Sequence, residues 1–181
     1  MMTAGGHLKY KPCLGMTRIS KPVTLALLWL WAGAAIMFAA ITAPTLFNPN
    51  VLDDRELSGA IAGAILKRFF LASTFVFVAC ALFSLLGWLA DPKTRRRTEF
   101  LFLLSLLLLG VNLFQDKVAR MRMVELKLEM KNTTDKKHQT DLRNQFNDWH
   151  RISTTLYGGS LILALIGAGW VTLTGERKSG K

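Results

Sequence analysis

Six polar residues near the ends of two apolar segments carry the side chains best suited to chemistry. They are Asn112, Gln115, Asp116, His150, Ser153 and Tyr157. The last three follow one another at spacings of three and four, which places them on one helical face. A His150 imidazole beside Asp116 or Asp148 could act as an acid–base pair. We favour a structural reading, in which Asn112, Asp116, His150 and Ser153 form a polar junction of hydrogen bonds between helices.

Catalytic, metal and cofactor motifs are missing from the sequence. The three histidines, His7, His138 and His150, do not cluster with cysteines or carboxylates at the spacing of zinc ligands. The sequence contains no phosphate-binding glycine loop, no nucleophile elbow and no metalloprotease helix. We therefore assign no catalytic residue, no metal ligand and no cofactor, and we expect a protein that is not an enzyme.

The apolar residues are concentrated in four uncharged runs. Of the 181 residues 51% are apolar, and the net charge is +11. Three of the runs reach the roughly 20 residues that a membrane-spanning helix needs. We predict one four-span membrane domain over residues 22–175, with spans at about 23–47, 66–90, 99–116 and 151–174. No Asp, Glu, Lys or Arg lies centrally in any span, which argues against a proton relay within one subunit.

Basic residues flank these runs and predict the orientation of the chain. The short loop after the second span holds Lys93, Arg95, Arg96 and Arg97, and short basic loops stay in the cytoplasm. A flexible N-terminal segment, 1–21, and a tail, 176–181, are also basic and lie on the same side of a four-span chain. We predict a bacterial inner-membrane protein with both termini in the cytoplasm. Because no nucleic-acid-reading motif accompanies the charge, we expect no nucleic-acid partner.

Three local signals predict where helices end and begin. Pro44 should kink or end the first helix, because it lacks a backbone donor and disfavours helical geometry at Ala43. Asp53, with Glu56 three residues later, predicts the N-cap of the next helix. Residues 132–135, Asn-Thr-Thr-Asp, predict a break followed by a new N-cap.

Two apolar stripes predict that spans three and four continue as an extramembrane hairpin over residues 117–150. The first stripe consists of Phe114, Val118, Met121, Val124 and Leu128. The second consists of Leu142, Phe146, Trp149, Ser153 and Leu156. Both repeat at spacings of three and four, so we expect them to pack against each other in a short, coiled-coil-like antiparallel hairpin. The alternative is that residues 130–141 are loose and only the turns nearest the membrane are helical.

Several motifs in this order resemble the small integral membrane family typified by transmembrane protein 205. They are Ala43-Pro44-Thr45-Leu46-Phe47, the segment from Gly59 to Phe70, Asn112 before a charged helix, and Phe146, His150 and Ser153 at the start of the fourth span. The similarity covers about residues 23–171. It implies a four-helix membrane protein whose biochemical role is not established.

The sequence thus predicts an all-α, four-helix transmembrane bundle whose third and fourth spans extend into a polar antiparallel hairpin. We expect a non-enzymatic structural or accessory membrane component. One alternative is a small-solute or metal-related permeation or tolerance protein that acts as an oligomer, and a second is a membrane enzyme that uses His150. The expected partners are the lipid bilayer and either a second copy or another membrane protein.

Overall fold

The computed structural model describes residues 14–51, 54–90 and 95–176, and nearly all of them are helical. The elements are α1 (Leu14–Met37), a π-helical turn π1 (Phe38–Thr42), α2 (Ala43–Leu46), α3 (Arg55–Ala90), α4 (Arg95–Phe114), a second π-helical turn π2 (Gln115–Ala119), α5 (Arg120–Asn132) and α6 (Lys136–Glu176). Because π1 joins α1 to α2 and π2 joins α4 to α5, four continuous helices result. All four are long and apolar enough to cross a membrane, which confirms the all-α, four-helix prediction.

The first helix begins earlier than the sequence indicated. Residues 14–21, predicted to belong to a flexible segment, are helical, and residues 1–13 lie outside the described part of the chain. Pro22 lies inside α1 rather than in its first turn. The helix continues through Pro22, and the Thr24 hydroxyl two residues later is buried 3.4 Å from the Ser84 hydroxyl on α3.

The predicted distortion at Pro44 is confirmed. The N–H of Ala43 bonds to the carbonyl of Phe38, five residues back, so the helix widens immediately before the proline. A π-turn gives the ring of Pro44 more room beside the preceding turn of backbone. The helix then ends at Leu46.

Asp54, rather than the predicted Asp53, caps α3. The Asp54 carboxylate accepts the N–H groups of Glu56 at 2.8 Å and Leu57 at 3.1 Å. Helix α3 accordingly begins at Arg55, and Asp53 lies outside the described residues. At the other predicted break the prediction is confirmed, because α5 ends at Asn132 and the Asp135 carboxylate accepts the N–H of Lys137 at 3.0 Å.

The predicted hairpin of α5 and α6 also contacts the start of α3. Helix α6 runs antiparallel to α4 and α5, with Phe146 beside Lys127 and Gly167 beside Leu104. Two lysine side chains of α5 reach the first turns of α3: Lys127 lies beside Gly59, and Lys131 pairs with Glu56.

Charged residues on different helices mark two levels about one bilayer thickness apart. The antiparallel register places Lys67 and Arg68 of α3 near the level of Asp116, and Arg151 of α6 somewhat more than one turn from it. We name this the outer level. The other level, named the inner level, is marked by Arg97, whose guanidinium donates to the carbonyl of Thr174. From Arg97 to Asp116 the helix rises about 29 Å, close to the roughly 30 Å of bilayer hydrocarbon, and a bilayer placed between the two levels would leave α5 outside its hydrocarbon.

Small residues let α6 approach α4 closely. The buried core includes Leu28, Phe77, Leu101, Leu108, Ala164 and Ala168. A Cβ at Gly167 would lie 2.5 Å from a methyl carbon of Leu104, so a larger residue there would force the Leu104 side chain to move.

The apolar stripe predicted on α5 does not face α6. Its members Val118, Met121, Val124 and Leu128 are 43–58% exposed, whereas Leu126 is fully buried. The buried positions are Ala119 and Leu126, flanked by the half-buried Met123 and Met130. On α6 the predicted stripe is confirmed, because Leu142 and Ser153 are buried and Phe146, Trp149 and Leu156 are half-buried. The assignment on α5 was wrong because the packing face is already set before π2: Phe114 is exposed, and the buried positions Asn112, Gln115, Ala119 and Leu126 follow one another at spacings of three, four and seven.

Candidate functional site

Asn112 is buried and joins two helices by hydrogen bonds, but the helix it bonds to is α3 rather than α6. Its amide nitrogen donates to the backbone carbonyl of Phe70 at 3.0 Å and to the hydroxyl of Thr74 at 2.9 Å. Both amide hydrogens are therefore used in holding α4 against α3. The prediction that Asn112 and His150 belong to one hydrogen-bonded junction is wrong.

His150 lies at a different depth from Asn112. In the observed register Asn112 lies level with about Gly159, and His150 with about Met121. Nine residues separate Gly159 from His150, which corresponds to about 14 Å along the helix axis. The imidazole is exposed and stacks on Phe146 of its own helix, with ring centroids 6.3 Å apart.

Asp116 and Ser153 also take no part in the hydrogen bonds that Asn112 makes to α3. The Asp116 carboxylate pairs with Lys117 and Arg120 of its own helix, each at 2.9 Å. These contacts hold it at the charged outer level. Ser153 is buried on the face of α6 that packs toward α5. Within the described residues no three His, Cys, Asp or Glu side chains come close enough to hold a metal ion.

The structure brings two other predicted residues, Gln115 and Tyr157, together with Asn112. These three side chains and Ser160 line a central cavity of about 10 Å³, which is room for about one water molecule. Aromatic and apolar groups complete its wall: Trp31 of α1, Phe69, Phe70 and Phe77 of α3, and Leu108 of α4. All four long helices contribute, so this cavity is the candidate site.

Most polar groups around the cavity already bond to other helices. The Tyr157 hydroxyl donates to the carbonyl of Ala35 at 3.1 Å. The Trp31 indole donates to the Ser73 hydroxyl at 2.8 Å. Hydrogen bonds thus join α1 to α6, α1 to α3, and α3 to α4 at one level of the bundle.

Gln115 is the exception. Its side-chain oxygen is buried and has no hydrogen-bond partner among the described residues, while the residue as a whole is 3% exposed. A buried amide oxygen without a donor costs about 1 to 3 kcal/mol. The cavity therefore has one unused acceptor, set in a wall that is otherwise mainly aromatic.

Both π-turns lie beside this cavity. Phe38 opens π1 and stacks on Phe69, with centroids 6.2 Å apart, and Phe69 in turn meets the Tyr157 ring edge-on. Gln115 opens π2. Because π-turns often occur at functional sites, their common depth strengthens the assignment of the cavity as the candidate site.

Sequence reasoning missed the contributions of α1 and α3. Trp31, Ser73 and Thr74 were not among the candidate residues selected from the sequence. The sequence did not show how the first two spans are aligned in depth with the third and fourth. Counting residues from the 133–135 loop would have separated Asn112 from His150, but no comparable count relates α1 to α4.

A comparison with protein families identifies the domain. A family model described as a domain of unknown function, DUF4149, matches residues 26–132. The chain belongs to the DUF4149 family. The match runs from α1 to the end of α5 and so includes Asn112, Gln115 and both π-turns, whereas α6 with Tyr157 lies beyond it. No curated protein and no solved structure matches the chain.

Proposed function

We propose that this DUF4149 protein is a non-enzymatic accessory component of a membrane, and that it acts by binding a protein partner through the exposed apolar stripe of α5. The stripe consists of Val118, Met121, Val124 and Leu128. This single feature supports the proposal because α5 lies beyond the outer charged level, where lipid tails do not cover apolar side chains.

The chemistry of the stripe favours a protein partner. Its four side chains recur at spacings of three and four and lie on one helical face. Single exposed apolar residues are ordinary on protein surfaces, but a contiguous row with charged edges is typical of an interaction site. Lys127 on one side and Glu125 on the other are such edges.

The stripe can be tested by photo-crosslinking in intact membranes. A photo-reactive side chain at Val124 should give crosslinked products, because that position would lie inside an interface. The same group at Glu129, an exposed position on the polar side of α5, is the matched control. Equal crosslinking at positions 124 and 129 would refute the proposal.

We further propose that the protein is located in a bacterial inner membrane with both termini in the cytoplasm, and that it is related to the transmembrane protein 205-like family. The concentration of arginines at the start of α4 supports this orientation. The similarity of the Ala43–Phe47 motif and the Asn112 segment supports the kinship.

The orientation makes a labelling prediction. In a background without Cys13 and Cys80, a membrane-impermeant thiol reagent added outside should label a cysteine at Asn50 or Thr133. A cysteine at Arg96, exposed at the start of α4, should react only after the membrane is opened. Labelling of position 96 alone in intact cells would reverse the orientation.

A further inference from the structure

The exposed apolar face of the third long helix does not stop at the membrane. Below the charged level it continues through Leu103, Leu107, Gly110 and Phe114, all of them exposed. Lipid can cover that part. The same face therefore runs from lipid, where exposed apolar side chains are expected, into water, where their exposure is unfavourable. A partner that covers the stripe on α5 could also pack along this face of α4.

If the partner is a second copy in the same membrane, the symmetry axis that relates the two copies is restricted to one direction. Both copies insert in the same orientation, so a two-fold axis relating them must run along the membrane normal. Their α5 helices would then run parallel, as in a parallel coiled coil, and the same surface would face itself across the axis. Self-pairing can be judged from the sequence of one helix alone.

Residues 120–128 fit parallel self-pairing. With Met121 and Leu128 at heptad position a, Val124 occupies position d, while the d positions one heptad before and after it are Lys117 and Lys131, so the apolar part of this heptad pattern is confined to residues 121–128. Arg120 then occupies position g, and Glu125 occupies position e of the following heptad. In a parallel pair a g residue faces the e residue five positions later on the partner, so Arg120 of each copy would face Glu125 of the other.

The present partners of these two charges do not block such pairing. Arg120 bonds to Asp116 through its Nε atom at 2.9 Å, and Glu125 bonds to Arg122 at 3.1 Å. The guanidinium has further donors beyond Nε. The pair of Glu125 and Arg122 is exposed and contributes little to stability, so exchanging it for an interface pair costs little.

Glycines leave room beside this face. Gly110 lies within the row, and a Cβ there would meet nothing within 4 Å. On α3, Gly63 lies one turn beyond Gly59, which contacts Lys127, and it also faces open space. Small residues of this kind permit close approach between membrane helices.

We propose that this face is the interface of a parallel, two-fold homodimer, in which the row from Leu103 to Leu128 packs against the same row of a second copy. This inference rests on the proposed function, whose partner it names. Apolar packing of Met121, Val124 and Leu128 holds the extramembrane part together, and the pairs of Arg120 with the second copy's Glu125 set the register.

The apolar seam can be tested by disulfide formation. In a full-length chain carrying Cys13→Ser and Cys80→Ala, Val124→Cys should give a disulfide-linked dimer in membranes treated with an added oxidant. Glu129→Cys, on the polar side of the same helix, should give far less. Equal amounts of dimer from the two variants, or none from Val124→Cys, would overturn the homodimer.

The register can be tested by separating the charges between two chains. One tagged chain carries Val124→Cys with Arg120→Glu, and a second, of different size, carries Val124→Cys with Glu125→Arg. Self-dimers would face like charges at both e and g positions, whereas the mixed dimer has two opposite-charge pairs. We expect the mixed disulfide to exceed each self-disulfide by about five-fold. A statistical mixture of the three products would overturn this register.

The accessory role through the α5 stripe and the homodimer can be refuted independently. Crosslinking from Val124 to a different protein, with no disulfide between copies, would refute the homodimer but retain an accessory role through the same stripe. Equal crosslinking at Val124 and Glu129 would refute both. Thermal melting of each variant in detergent checks that it is folded, because Cys80→Ala changes a fully buried side chain, whereas positions 120, 124, 125 and 129 are exposed or partly exposed in the single chain.

Discussion

Leu126→Asp is expected to unfold the extramembrane hairpin. Leu126 is fully buried at the seam where α5 packs against α6, and Leu142 of α6 is buried in the same hairpin. The substitution removes a packed side chain and introduces a carboxylate with no partner, which should cost about 3 to 5 kcal/mol. Hydrogen exchange of the α5 and α6 amides in detergent, together with the melting temperature, would measure the loss.

Val124→Asp is the matched control, two positions away on the exposed face. It should cost less than about 1 kcal/mol in the monomeric chain, because a surface substitution removes little packing. The measurement belongs at a protein concentration where light scattering shows monomers. If Val124→Asp proved as damaging as Leu126→Asp there, the observed seam would be contradicted and the seam read from the sequence would be restored.

The contact between α5 and α6 shows which features of the fold could be predicted from the sequence and which could not. The distortion at Pro44 and the helix boundaries at Asn132 and Asp135 were predicted because each depends on local backbone chemistry within a few residues. The face of α5 was not, because that helix carries two apolar rows, one with Leu126 and one with Val124. Periodicity cannot decide between them, because both rows recur at spacings of three and four.

The candidate site was predictable to a similar extent. Asn112, Gln115 and Tyr157 were selected because uncharged polar groups near a span end need partners, and they do line one cavity. His150 was grouped with them on the assumption that all residues near a span end share one depth. The partner of Asn112 lies on α3, and its identity follows from how α3 is aligned with α4 rather than from any pattern near Asn112.

The bond network gives a coupling prediction. Asn112→Ala should destabilise the bundle by about 1 to 3 kcal/mol, because it removes two hydrogen bonds to α3 and leaves a small cavity. Thr74→Val removes one of the same bonds while keeping the side-chain volume nearly constant. The double variant should therefore lose less than the sum of the single losses, by about 0.5 to 1 kcal/mol, which a double-mutant cycle in detergent would measure.

His150→Ala provides the contrasting cycle. His150 is exposed and about 14 Å from Asn112 along the helix axis, so the losses from Asn112→Ala and His150→Ala should add within about 0.5 kcal/mol. Coupling of Asn112 to His150, with additivity between Asn112 and Thr74, would contradict the observed pairing. The two cycles share one substitution and one assay, so a general loss of stability cannot produce the expected difference between them.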